Sequence, residues 1–217
     1  MRINKYVALA TGLSRRAADI AISEGQVRVN SEPATMGQTV ATGDQISLNG
    51  QQLHLPETTQ TIMLNKPVGF VVSREGQGSK TIYDLLPPQL HQLKPVGRLD
   101  KDSSGLLLLT NDGTLANTLT HPSYEKTKIY QVELNHPLDD AAFVRLHQGV
   151  ALADGISHLD VKATGGRGYT VTMHEGRNRQ IRRTFVNLGY QVTRLHRTQF
   201  GGHVLDDLAS GAYKAVD

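Results

Sequence analysis

The sequence predicts an α+β fold in two parts, a small N-terminal module and a larger domain. Three observations predict it. Many short alternating segments are interspersed with helical ones, which argues against a doubly wound parallel sheet. A polar, irregular stretch at 51–61 separates two patterned regions and reads as connecting chain. The run Leu106–Leu109 suits a strand buried on both faces, so the second region has a layered core. The boundaries follow as a module at 1–55, a linker at 56–61 and a larger domain at 62–217.

Each element has its own signal. In the module, Ile3 to Leu9 is a short helical pattern ending near Gly12. Ser14 is a good N-cap for a second helix, Arg15 to Glu24, with Gly25 at its C-cap. Val27–Asn30 and Gly43–Leu48 read as strands. In the larger domain, Ile62–Pro67 is a strand ended by proline, and Phe70–Ser73 is another. Asp112 caps a helix through Leu119, stopped at His121-Pro122. Ile129–Leu134 alternates, with Tyr130, Val132 and Leu134 on one face. Leu138 to Gly149 is helical, Gly165–Gly168 is a hairpin turn, and Tyr169–Met173 alternates again. Asn178 caps a last helix whose buried stripe is Ile181, Phe185 and Leu188.

Composition narrows the function. The chain has 217 residues and no cysteine, which excludes disulfides, thiolate nucleophiles and cysteine-based metal sites. Its nine histidines are scattered without a His-Glu-x-x-His spacing, so neither metal nor cofactor is expected. No apolar run approaches the roughly 18 residues of a membrane span. Met1–Lys5 lacks an apolar signal core, so a cytoplasmic protein is expected. The net charge is only +3 but unevenly spread. Residues 1–30 carry five cations (Arg2, Lys5, Arg15, Arg16, Arg28) against two acids. Residues 167–197 carry seven arginines against Glu175 alone. Two basic patches on a near-neutral chain predict a polyanion held at two places. Arg15 and Arg16 occupy a first helical turn, where cations oppose the helix dipole but suit a phosphate site.

The densest chemistry lies at Gly97-Arg98-Leu99-Asp100-Lys101, followed by Asp102-Ser103-Ser104-Gly105 and the leucine run. Asp100 stands between Arg98 and Lys101 at the mouth of a buried strand. Flanking cations favour an ionised carboxylate, and an ionised, positioned carboxylate is a candidate nucleophile or base. A structural ion pair at a strand end explains the same residues equally well. Tyr130 faces inward, as core or as a ring that stacks on an extruded base. In Glu175–Phe185, Arg182 lies at the edge of the buried stripe, and a half-buried arginine needs a carboxylate partner. Asp100 is the natural candidate. Arg179 and Arg183 share another face, beside Arg177 and Asn178.

Two resemblances rest on these residues. Arg2–Tyr6, Ser14–Ala18, Glu24–Asn30 and Gly43–Ile46 resemble the alpha-L RNA-binding domain, the module shared with ribosomal protein S-four. Gly97–Asp100 with Ser104–Gly113, then Lys128-Ile129-Tyr130, then Glu175–Arg183 resemble the RsuA-type family of ribosomal RNA pseudouridine synthases. The resemblance covers nearly the whole chain. It implies a mixed, mainly antiparallel sheet flanked by helices. It also implies Asp100 as catalytic aspartate, Tyr130 as base-stacking tyrosine and Arg182 as the aspartate's basic partner. Its substrate is ribosomal RNA or a partly assembled subunit, with the large subunit slightly favoured. No membrane, protein partner or cofactor is implied, and a monomer is expected. Arg98, Lys101, Arg177, Asn178, Arg179 and Arg183 then join Lys5, Arg15 and Arg16 as RNA-binding candidates. The loop 73–81 departs from the family's commoner acidic, proline-containing version, which bears on substrate choice. The competing readings are a non-catalytic ribosomal RNA-binding or assembly protein and a nucleoside hydrolase.

Overall fold

The computed structural model describes residues 1–56 and 58–216, and every count below refers to those residues. Glu57, within the expected linker, and Asp217 lie outside them. The chain divides into two compact units. The first is Met1–Gln60 with Pro88–Lys94, and the second is Thr61–Pro87 with Pro95–Asp217.

The first unit opens with α1 (Ile3–Thr11), which ends at Gly12 in the left-handed conformation (φ 78°). Then comes α2 (Arg15–Ser23), capped as expected by the Ser14 hydroxyl, which accepts from the Ala17 N–H at 3.0 Å. A four-stranded sheet follows, built from β1 (Val27–Val29), β2 (Glu32–Pro33), β3 (Ile46–Leu48) and β4 (Gln51–Gln52) in the order β2-β1-β3-β4. Ile3, Val7, Ala18, Ile22, Val27 and Ile46 form its core. The start of the supposed connecting stretch is thus a strand. Asn49 and Gly50 both have positive φ (49° and 80°) and turn β3 into β4 as a two-residue hairpin.

The second unit holds β5 (Thr61–Lys66), β7 (Ser104–Thr110), α3 (Gly113–Thr120), β8 (Lys128–Leu134), α4 (Asp140–Gln148), β9 (Val150–Leu152), β10 (Gly155–Ser157), β11 (Asp160–Gly165), β12 (Gly168–Met173), α5 (Gln180–Asn187), β13 (Val192–Phe200), β14 (His203–Val204) and β15 (Tyr213–Ala215). Between β5 and β7 runs β6 (Lys94–Val96). The large sheet has the order β11-β12-β8-β13-β7-β5-β15, with β14 and β6 paired onto β13 and β7. Along that order the pairings are antiparallel except β7 with β13, which run parallel. The mixed, mainly antiparallel sheet implied by the family resemblance is therefore present.

At its centre, Leu106 to Leu109 are all fully buried. Each such side chain contributes about 1.5–3 kcal/mol relative to exposure. Leu106 and Leu108 pack with Met63, Leu119 and Phe200 on one face. That rigidity fixes the loop entering β7, which carries Asp100. The Asp112 carboxylate caps α3, accepting from Thr114 and Leu115. Phe70–Ser73 is not a strand. After Pro67, Gly69 (φ 91°) turns the chain, and Val71 pairs by a single parallel bridge to Thr81. Its backbone groups are satisfied by Lys80 and Ile82 within that loop. Asn178 does not cap α5 either. Arg179 takes the N-cap position in the left-handed conformation (φ 47°), so the helix starts later. The stripe of α5 closes with Ile181, Thr184 and Phe185 buried, while Leu188 is half-buried.

Candidate active site

The second unit contains a cavity of about 850 Å³ walled by Asp100, Tyr130, Arg179, Lys128, Arg197 and Phe200, among others. That volume lies within the roughly 300–1,000 Å³ of small-ligand sites. The wall is assembled chiefly from the loop before β7, the start of β8, the segment leading into α5 and the second half of β13.

The loop bearing Asp100 is held from below. Leu99 is buried, and the Ser103 N–H donates to the Asp100 carbonyl at 3.1 Å. Lys66, the last residue of β5, is fully buried. Its ammonium donates to the carbonyls of Pro67 (3.0 Å), Asp100 (3.1 Å) and Ser103 (2.6 Å). Burial pulls the Lys66 ammonium from 10.5 down to about 8, opposed by the charges of Asp100 and Asp102. Lysine at the end of a buried strand, with no sequence neighbour to pair with, was the only signal available in advance.

The direct ion pair to Asp100 is made by Arg179 and not, as expected, by Arg182, whose guanidinium still feels the Asp100 charge. Asp100 meets Arg179, whose Nη1 lies 3.4 Å from Asp100 Oδ2. Arg179 also grips Asp102 with both prongs at 2.9 Å. That hydrogen bonding holds the Asp102 carboxyl below the usual carboxylate range and raises Arg179. Arg182 sits behind the loop. It donates to the carbonyls of Asp102 (2.8 Å) and Val192 (2.9 Å), and its Nε lies 3.3 Å from Asp102 Oδ2. The reason is local. The left-handed turn at Arg179 swings that side chain over the loop, whereas Arg182 lies inside the first turns of α5 and faces β13.

The second basic patch is largely neutralised within the protein. Arg177 pairs with Asp154 and Glu175, Arg183 grips Asp154 at 2.8 and 2.9 Å, and Arg194 pairs with Glu133. Arg183 holds the Asp154 carboxyl below its ordinary value. Asp102, Glu133 and Asp154 lie outside the window counted by sequence, so the count overstated the free charge. Asn178 lines the cavity, and its carbonyl accepts from Arg183 Nε at 2.8 Å. Arg98 lies exposed on the cavity wall, and Lys101 donates to the Ser79 hydroxyl at 2.9 Å.

Tyr130 is 7 % exposed, on the buried face of β8 and in the cavity wall. It belongs to the core and to the site at once. Lys128, two residues earlier, is lowered by burial first and by Arg197 second. In the first unit, Met1, Arg2, Asn4, Lys5 and Arg15 line a separate hollow of about 410 Å³, with Arg15 and Arg16 exposed. Among the described residues no helix is long and apolar enough to cross a membrane.

A family model for RNA pseudouridylate synthases matches residues 60–187. The chain belongs to that family. An S4 domain model matches residues 1–46. A curated relative, ribosomal large subunit pseudouridine synthase B of Haemophilus influenzae, is 38 % identical over all of this chain and 64 % of its own length. The protein of that name from Pseudomonas aeruginosa is 38 % identical over all of this chain and 59 % of its own. The one from Bacillus subtilis is 36 % identical over 97 % of this chain and 89 % of its own. This family member thus spans less than two thirds of the length of several relatives that it matches. A crystal structure of a pseudouridylate synthase superimposes with a TM-score of 0.73 at 32 % identity, covering all of this chain and 96 % of the other.

Proposed function

We propose that this chain isomerises a uridine of ribosomal RNA to pseudouridine, with large-subunit RNA favoured by the names of its relatives. One observation carries the reading. The Asp100 carboxylate stands in a cavity wall with the Tyr130 ring, while Arg179 at 3.4 Å balances its charge. A protein that only binds RNA gains nothing from a carboxylate there, since it repels phosphate.

The reaction needs no outside reagent. The C1′–N1 bond breaks, C1′–C5 forms, C5 loses a proton and N1 gains one. Asp100 starts it at the sugar, by attack on the anomeric carbon or by abstraction of a sugar proton. Extruding the uridine costs a few kcal/mol. Stacking on Tyr130 offsets much of that, at about 1–3 kcal/mol per base. Lys66, Arg179 and Arg182 act as positioning residues: they fix the Asp100–Ser103 loop. Arg98 and Asn178, in the cavity wall, and Lys101 contact the RNA backbone, and Arg177 and Arg183 do so by exchanging the Asp154 and Glu175 carboxylates for phosphate. Lys5, Arg15 and Arg16 hold a second stretch of backbone from the first unit.

The test is incubation of the purified chain with ribosomal RNA transcript, followed by mapping. New pseudouridine at a defined position is expected. Free uracil would make the chain a nucleoside hydrolase, and RNA bound but unaltered would make it an assembly factor.

A further inference from the structure

Arg197 is the arginine of the cavity wall to which the isomerase reading gives no part, as it gives none to Lys126 and Lys128. It is 2 % exposed, in the second half of β13. Across the sheet it stands opposite Tyr130 on β8 and Gly105 on β7. Residues directly opposite on paired strands project from one face, with Cβ atoms about 4.5–5.5 Å apart. Arg197 and Tyr130 therefore enter the cavity side by side. Arg197 Nε donates to the Leu106 carbonyl at 2.8 Å, and the guanidinium lies over the Phe200 ring at 4.7 Å. Its Nη2 is buried and has no partner. The arginines around it pair with Asp100, Asp102, Glu133, Asp154 or Glu175, whereas Arg197 enters no ion pair among the described residues. A buried cation without a counter-ion is costly, and one that lines a cavity and keeps a donor without a partner suits a ligand that brings negative charge. Lys128, 5.5 Å from the same Phe200 ring, adds to the positive corner.

We propose that Arg197 receives the uracil as it leaves the sugar. When C1′–N1 breaks, its electron pair goes to the base, and the charge spreads onto the base carbonyl oxygens. Nη2 donates to one of them and the guanidinium balances the charge. The base departs as an anion whether Asp100 attacks C1′ or abstracts a sugar proton, so both routes need this group. The contact strengthens as charge develops, which speeds the chemical step more than it tightens binding. The inference rests on the isomerase reading and adds a residue to it.

Leaving-group acidity separates this role from a structural one. Fluorine at C5 makes uracil a better leaving group, so a 5-fluorouridine RNA needs less help. In Arg197→Lys, cleavage of C1′–N1 in uridine RNA should slow by roughly 10²-fold, as for loss of one preorganised donor. The same variant should lose less than about tenfold on 5-fluorouridine RNA, with RNA affinity within about threefold of the parent on both. Equal losses on the two substrates, or loss of affinity without loss of turnover, overturn the role and leave the isomerase reading standing. Absence of pseudouridine from the parent reaction overturns both. Arg197→Gln, which keeps a donor for the Leu106 carbonyl, replaces Arg197→Lys if thermal melting shows the latter unfolded. The parent alone gives a third measure. A protein-stabilised leaving group should make its cleavage rate change by less than about fivefold on fluorination, and a change above about fiftyfold overturns the role.

Discussion

Arg179 holds Asp102 in a two-pronged grip at 2.9 Å and turns the same guanidinium to Asp100 at 3.4 Å. One side chain at a helix start thereby fixes two carboxylates of one loop, and its loss should be felt twice. Arg179→Met should slow turnover by about 10–100-fold through misplaced Asp100, with RNA affinity changed little. Single-turnover kinetics beside filter binding checks it. Unchanged turnover would leave Asp100 orientation to Lys66 and Arg182.

The same pair sets an acid dependence. Arg179 keeps the folded Asp102 carboxyl below its unfolded value, so this contribution is present above the unfolded value and fades as pH falls through the folded one. Arg179→Met should therefore move the midpoint of acid unfolding to higher pH. Circular dichroism between pH 6 and pH 2 measures the shift, and coincident curves would show that the grip adds nothing to folding.

Asp100→Asn should abolish isomerisation, by at least about 10³-fold, while RNA affinity stays within a few fold. The substitution keeps the size of the side chain and the Lys66 and Ser103 contacts to the loop backbone. Full activity in Asp100→Asn would reject the aspartate as the reacting group.

Tyr130→Ala should lower turnover more than binding, and it should also cost stability, since the ring is 7 % exposed. A truncated buried aromatic costs about 3–5 kcal/mol. Tyr130→Phe keeps the ring and should keep the fold. Turnover unchanged in a folded Tyr130→Ala chain would return the residue to the core alone.

Lys66 predicts an alkaline effect of unusual sign. Its ammonium titrates near 8 in the folded chain against 10.5 ordinarily. Between those values the unfolded chain binds the extra proton, so stability rises with pH across that window. Lys66→Met should flatten the rise, as urea melts at pH 7.5, 9 and 10 would record. A parent chain whose stability does not change over that range would show that the buried ammonium keeps its ordinary value.

Much of this was legible in the sequence wherever local chemistry decides the outcome. Ser14 and Asp112 cap helices because a short polar side chain before an apolar pattern has few other uses. Leu106–Leu109 is a buried strand because a short all-apolar run next to a charged loop suits a strand covered on both faces. Asp100 and Tyr130 reached one cavity through motifs that carry a family resemblance. The choice of partner was not legible. Arg179 and Arg182 are three residues apart, and which one faces Asp100 depends on a left-handed backbone at Arg179 that no pattern announced. Nor was the neutralisation of the arginine cluster, because Asp102, Glu133 and Asp154 reach it only through the fold. Asn49-Gly50 was a missed local signal, a hairpin turn between two short strands.

The segment Pro88–Lys94, which belongs to the first unit although it lies beyond β5, has a practical consequence. Lys94 donates to the carbonyls of Ala8 (3.2 Å) and Leu13 (2.9 Å), closing the end of α1. A protease or a cloning strategy that cuts at residue 60 would hand this buttress to the wrong fragment. The first unit is drawn from two separate stretches of the gene, so no single cut in the coding sequence delivers it whole and alone.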